Sequence, residues 1–171
     1  MPIFGDNMGG TDSFPASNDR CVGSKYTLTE TGTVTQINLM TDATGSAGSN
    51  GKALIFSDSG GLPGTLLIAS TGQAMPAGAN DVAFSVTPTV LSPGDYWICA
   101  VSDSFEVRWR GDLGGAGGQR KEGYSYASPP STFGTPDGST GTTFDFYATY
   151  TVGGGSSQAP RSMHQYGFRR K

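Results

Sequence analysis

Residues 142–152 alternate almost without interruption. Phe144, Phe146, Ala148, Tyr150 and Val152 fall on one side, and Thr143, Asp145, Tyr147, Thr149 and Thr151 on the other. A period of two is the mark of a β-strand, because successive side chains leave opposite faces. The same period predicts a strand over 32–41, where Ile37 and Leu39 share a face with Thr33 and Thr35. Over 95–102 both alternating sets are apolar, Tyr96, Ile98 and Ala100 against Trp97, Cys99 and Val101. That pattern predicts a central strand covered on both faces. Residues 105–110 place Phe105, Val107 and Trp109 opposite Glu106, Arg108 and Arg110. They read as its hairpin partner with a charged outer face. Shorter strand signals lie at 25–31, 52–57, 66–70 and 82–87, with a weak one at 124–127.

Turn chemistry separates these runs. Asp58-Ser59-Gly60-Gly61-Leu62-Pro63-Gly64, Met75-Pro76-Ala77-Gly78 and Pro93-Gly94 are strong breaks, and residues 111–121 and 128–141 are Gly-, Ser- and Pro-rich loops. No stretch keeps apolar spacings of three, four and seven, and the glycine density disfavours helices. About eight strands with frequent turns predict an all-β fold, an antiparallel two-sheet sandwich of jelly-roll type with extended N- and C-terminal arms. The expected division is an arm over 1–20, a sandwich over 21–152, and a Gly-rich linker with a basic tail over 153–171.

Charge sharpens this picture. Charged residues make up only 15% of the 171, so glycine, serine and threonine carry most of the polar surface. Residues 1–154 hold seven basic and fourteen acidic side chains, a net of −7, whereas 155–171 hold Arg161, Arg169, Arg170 and Lys171 and no acid. An acidic body with a basic arm is not a nucleic-acid-binding domain by total charge. No basic and apolar leader opens the chain and no apolar run reaches membrane-spanning length. Cytoplasmic synthesis with release by lysis is the expectation, and no membrane partner is expected.

Candidate chemistry is sparse. The single histidine, His164, lies beyond the glycine linker, a poor place for a catalytic base that needs a rigid mount. Cys21 and Cys99 fit no zinc or redox spacing and read as two buried reduced thiols, with a bridge between them as the alternative. Asp95, Asp103, Glu106 and Asp145 lie at or near strands, and nothing selects a catalytic pair among them. Asp42, Asp58, Asp103 and Asp112 lie near loops and offer calcium ligands, without EF-hand spacing. Arg110-Gly111-Asp112 spells a cell-attachment tripeptide that reads as strand-end chemistry. No enzyme, metal or cofactor is expected from these residues. Tyr124 and Tyr126, beside open loops, are the candidate sugar-stacking pair. Phe4 in the N-terminal arm, and Arg161, Tyr166, Phe168, Arg169, Arg170 and Lys171 in the tail, are the candidate partner contacts; for Phe4 and Phe14 packing on the chain's own sandwich is the slightly favoured alternative.

The stretch KALIFSDSGGLPGTLLIAST over 52–71 and the run Gly94-Asp95-Tyr96-Trp97-Ile98 resemble segments of bacterial extracellular and phage-particle β-sandwich domains. The resemblance covers under a third of the chain. It implies virion decoration, lectin-like or anchor-associated roles and carries no catalytic residue. The expectation is a non-enzymatic structural or binding protein on a large assembly, a bacteriophage capsid decoration or tail accessory subunit. Its terminal arms would grip neighbouring subunits, within a homo-oligomer or a larger assembly. A carbohydrate-binding module or extracellular adhesin is the alternative, with a surface glycan as ligand. Nucleic acid is the less favoured partner for the tail.

Overall fold

A computed structural model describes residues 1–42, 48–76, 81–115 and 117–153. Among them every regular element is a strand: β1 (Ile3–Gly5), β2 (Asp12–Pro15), β3 (Cys21–Leu28), β4 (Gly32–Met40), β5 (Asn50–Ser59), β6 (Leu62–Ala69), β7 (Gln73–Ala74), β8 (Asp81–Leu91), β9 (Gly94–Ser102), β10 (Arg108–Leu113), β11 (Gln119–Lys121), β12 (Gly138–Ser139), β13 (Thr142–Phe144) and β14 (Phe146–Val152). They form a seven-stranded sheet, β12-β11-β3-β9-β5-β6 with β7 beside β5, and a four-stranded sheet, β1-β14-β4-β8. A three-stranded sheet, β13-β10-β2, completes the set. All strand pairings are antiparallel. The all-β sandwich expected from the alternation is what the chain forms.

The core lies between the sheets. Val22, Ala53, Ile55, Ile98 and Ala100 of the seven-stranded sheet meet Val34, Ile37, Leu39, Phe84, Phe146 and Ala148 of the four-stranded one, with Trp109 and Phe144 added by the third. Burial of this apolar surface is the main drive for folding, at about 25 cal/mol per Å². The doubly apolar β9 is covered on both faces. Trp97, Cys99 and Val101 join Cys21, Leu54 and Phe56 in a second cluster on the opposite side of the sheet. That cluster is roofed by Tyr124 and Phe133, which lie in the non-strand stretch between β11 and β12. Phe133 meets Phe56 edge-on with ring centroids 5.4 Å apart. The stretch is pinned by hydrogen bonds from Phe133 N to Gly64 O (2.9 Å) and from Leu66 N to Ser131 O (2.8 Å).

Four expectations need correction. On β4, Val34 is buried together with Ile37 and Leu39. The register against β14 slips by one residue there, since Tyr150 faces Val34 while Thr149 faces Gln36. A bulge reverses the sidedness of the strand. Residues 105–110 are not a hairpin partner of β9: Phe105 is 67% exposed, and β10 pairs with β2 and β13. The final strand is two, broken at Asp145, where the chain passes from the three-stranded to the four-stranded sheet. Residues 1–20 pack on the sandwich instead of hanging from it. Phe4 is buried against Tyr96 and Tyr150, and Phe14 stands edge-on to Phe144. Two large apolar rings in a polar segment gain more from this core than from water.

Candidate functional site

The sheet crossover at Asp145 makes the one place where a described acidic group meets two others. The backbone is fixed first. Asp145 N–H donates to Arg110 O, and Asp145 O accepts from Met40 N, both at 3.1 Å. Asp6, just past β1, is held by its own N–H to Phe146 O at 2.9 Å. Asp112 lies on β10, opposite Thr143. Three segments far apart in sequence thus deliver Asp6, Asp112 and Asp145 to one corner, with a carboxyl oxygen of each within 4.8 Å of the others.

Asp145 is 0% exposed. Its Oδ2 accepts a hydrogen bond from Gly10 N–H, and its Oδ1 makes none. Burial pushes its pKa up to about 6; the Gly10 N–H opposes the rise, Asp6 and Asp112 add to it, and Arg110 opposes it. Asp6 Oδ1 accepts from Met8 N at 2.9 Å. Arg110 spans the corner, donating from Nε to Thr41 O (3.2 Å) and from Nη1 to Gly10 O (3.5 Å). Gly10 has to be glycine: a Cβ there would sit 2.6 Å from Gly111 O and 2.7 Å from Asp112 Oδ1. The loop between β1 and β2 is therefore pressed directly onto β10.

Chemically the corner offers hard oxygen donors around a desolvated carboxylate. A catalytic acid must touch its substrate, and Asp145 has no exposed surface with which to do so. Three of the surface hollows, of about 230 to 390 Å³, lie elsewhere, and among the described residues no acidic side chain lines them. Among the described residues, no helix is long and apolar enough to cross a membrane.

The residues singled out by sequence fare differently. Tyr124 is 2% exposed, faces Phe56 and Phe133, and donates its hydroxyl to Pro130 O at 2.9 Å. No face is left for a sugar to stack on, which corrects that expectation. Tyr126 is half-buried, with Lys52 Nζ 4.7 Å from its ring centre. The structure does not bring these two tyrosines into one platform. Phe4 is a core residue, so it is not available as a partner contact. Arg161, His164, Tyr166, Phe168, Arg169, Arg170 and Lys171 lie outside the described residues.

Of the four loop aspartates weighed as possible oxygen ligands for calcium, Asp112 alone joins the corner. Asp58 accepts from Trp97 Nε1 (2.9 Å) and Gly61 N (3.0 Å), and Asp103 from Asn50 N and Nδ2 (both 2.7 Å). Arg110-Gly111-Asp112 is part of a strand in which Gly111 faces both Phe144 and Asp12, so it is not a presented loop. Cys21 and Cys99 are buried free thiols, and burial and the neighbouring Cys99 push the Cys21 thiol up. Asp6 was missed because it lay in a segment read as an arm; Asp145 was named among the strand carboxylates but not singled out, because alternation assigned it to a polar face. Comparison with models of known protein families gives no match, and comparison with curated proteins gives none either.

Proposed function

We propose that this chain is a non-enzymatic structural and binding subunit on the surface of a large assembly, a bacteriophage particle, attached through its basic C-terminal tail. The observation that carries the reading is the division of charge. A body of net −7 is followed, through Gly153-Gly154-Gly155-Ser156-Ser157, by a tail with four basic residues and no acid. The last strand ends at Val152, which is 50% exposed, so the chain leaves the sandwich at its surface. Seventeen residues can reach about 60 Å when extended, enough to cross onto a neighbouring subunit. Arg161, Arg169, Arg170 and Lys171 pair with acidic surface there, and Tyr166 and Phe168 supply apolar anchors. A protein neighbour, whose acidic surface can be confined to the patch the tail reaches, suits this arrangement better than nucleic acid, whose charge runs along its whole length and repels the acidic body.

The test is truncation. A chain ending at residue 154 is expected to keep the circular dichroism and Tm of the full chain and to stop cosedimenting with purified particles. Cosedimentation unchanged by the truncation would overturn the reading, as would full-length chain that never sediments with particles.

A further inference from the structure

Three carboxyl groups, one of them fully buried, are an expensive arrangement to leave uncompensated. Arg110 is the basic group at the corner, and its two resolved hydrogen bonds go to backbone oxygens, Thr41 O and Gly10 O. Oδ1 of Asp145, without exposed surface and without a hydrogen-bond donor, marks a position where the described residues supply no partner. Among the described residues it is the one buried carboxylate oxygen in that condition. Oxygen ligands at 2.3–2.6 Å from a common ion lie no more than about 5 Å apart, and the carboxyl oxygens of Asp6, Asp112 and Asp145 are within 4.8 Å of one another.

The geometry points to a calcium site formed by Asp6, Asp112 and Asp145, in which the ion ties the loop after β1 to β10 and to the β13–β14 crossover. Carboxylate oxygens from separate segments suit a hard divalent cation. Calcium accepts irregular geometry and six to eight oxygens, with water completing the shell on the side of exposed Asp112, whereas magnesium demands a near-ideal octahedron. The ion supplies the positive charge missing at Asp145 and stabilises the folded state by binding it and not the unfolded chain.

The test uses the full chain, freed of metal with a chelator and titrated with calcium chloride or magnesium chloride by calorimetry, with Tm followed in parallel. One calcium per chain is expected, bound more tightly than magnesium. At a calcium concentration one hundred times Kd, Tm is expected to rise by about 5–10 °C. Asp112→Asn, at an exposed position, is expected to fold normally and bind calcium at least about tenfold more weakly. Asp145→Asn is expected to lose the calcium response while its metal-free Tm stays level or rises, since the buried charge is gone. A merely structural aspartate would instead lose Tm in both conditions. Absence of calcium binding by the wild type, equal affinity for the two ions, or an Asp112→Asn variant that binds like wild type would overturn the proposal. The Asp112 variant decides the matter if Asp145→Asn does not fold.

Discussion

Single residues carry much of what distinguishes this sandwich, and Phe4 is the plainest case. It lies in a stretch rich in Gly, Asn and Asp, yet it is 5% exposed and packs on Tyr96 and Tyr150 with ring centroids 6.1 and 6.2 Å away. Phe4→Ala is expected to cost about 3 kcal/mol of stability by urea unfolding; an unchanged midpoint would return Phe4 to the surface. The sequence left partner contact and core packing open, because a lone aromatic among turn-forming residues has no period to declare its face. Tyr124 misled for the same reason: beside open loops it looked available, and its ring in fact closes the second core. Asp145 is the converse. Alternation put it with Thr143 and Tyr147 on a polar side, but one residue at a sheet crossover belongs to neither face pattern. Its buried carboxyl became visible only with the fold.

At the level of elements, the long strands were legible; the short β1, β2, β11 and β12 and the pairing were not, and the strand signal at 124–127 falls in a non-strand stretch. The double apolar alternation at 95–102 marked β9 as covered on both sides, and β3 and β5 flank it across nearly its whole length. What covers the second face is not a sheet but the stretch carrying Tyr124 and Phe133, whose Pro, Gly and Ser composition gives no alternation to read. This roof makes a sharp expectation. In the native protein neither Cys21 nor Cys99 should react with a chromogenic thiol reagent, and both should react after denaturation. Phe133→Ala is expected to cost about 3 kcal/mol and to speed native thiol labelling at least tenfold. Labelling at the wild-type rate would mean that the roof is not what shields the thiols. The failed hairpin at 105–110 has a similar origin. Val107 and Trp109 are buried as the alternation suggests, but alternation does not say which sheet receives them.

At the scale of the molecule, the sandwich buries phenols as well as hydrocarbons, and this sets its response to alkali. Burial, together with the hydrogen bond to Asp81 and its charge, pushes Tyr147 up to about 12, and burial raises Tyr26 further. An unfolded tyrosine titrates near 10. Between those values the unfolded chain releases protons that the folded chain keeps, so the stabilising contribution is full below pH about 10 and is lost as pH rises towards 12. Tm is expected to fall across that window, with phenolate absorbance at these positions appearing late and together with unfolding. Early, non-cooperative ionisation of all seven tyrosines, at constant Tm, would contradict the burial described. The layered all-β plan was readable from alternation alone. The division between acidic body and basic tail was readable from composition, and it is on the tail, more than on any cleft, that the proposed attachment rests.

A reconstruction of the assembled particle addresses attachment most directly. The account predicts the sandwich standing on the outer shell, with residues 155–171 laid as a strap along an acidic neighbour. A particle without this sandwich on it, or one holding it through the faces of the sheets while the basic segment touches nothing, would contradict the account.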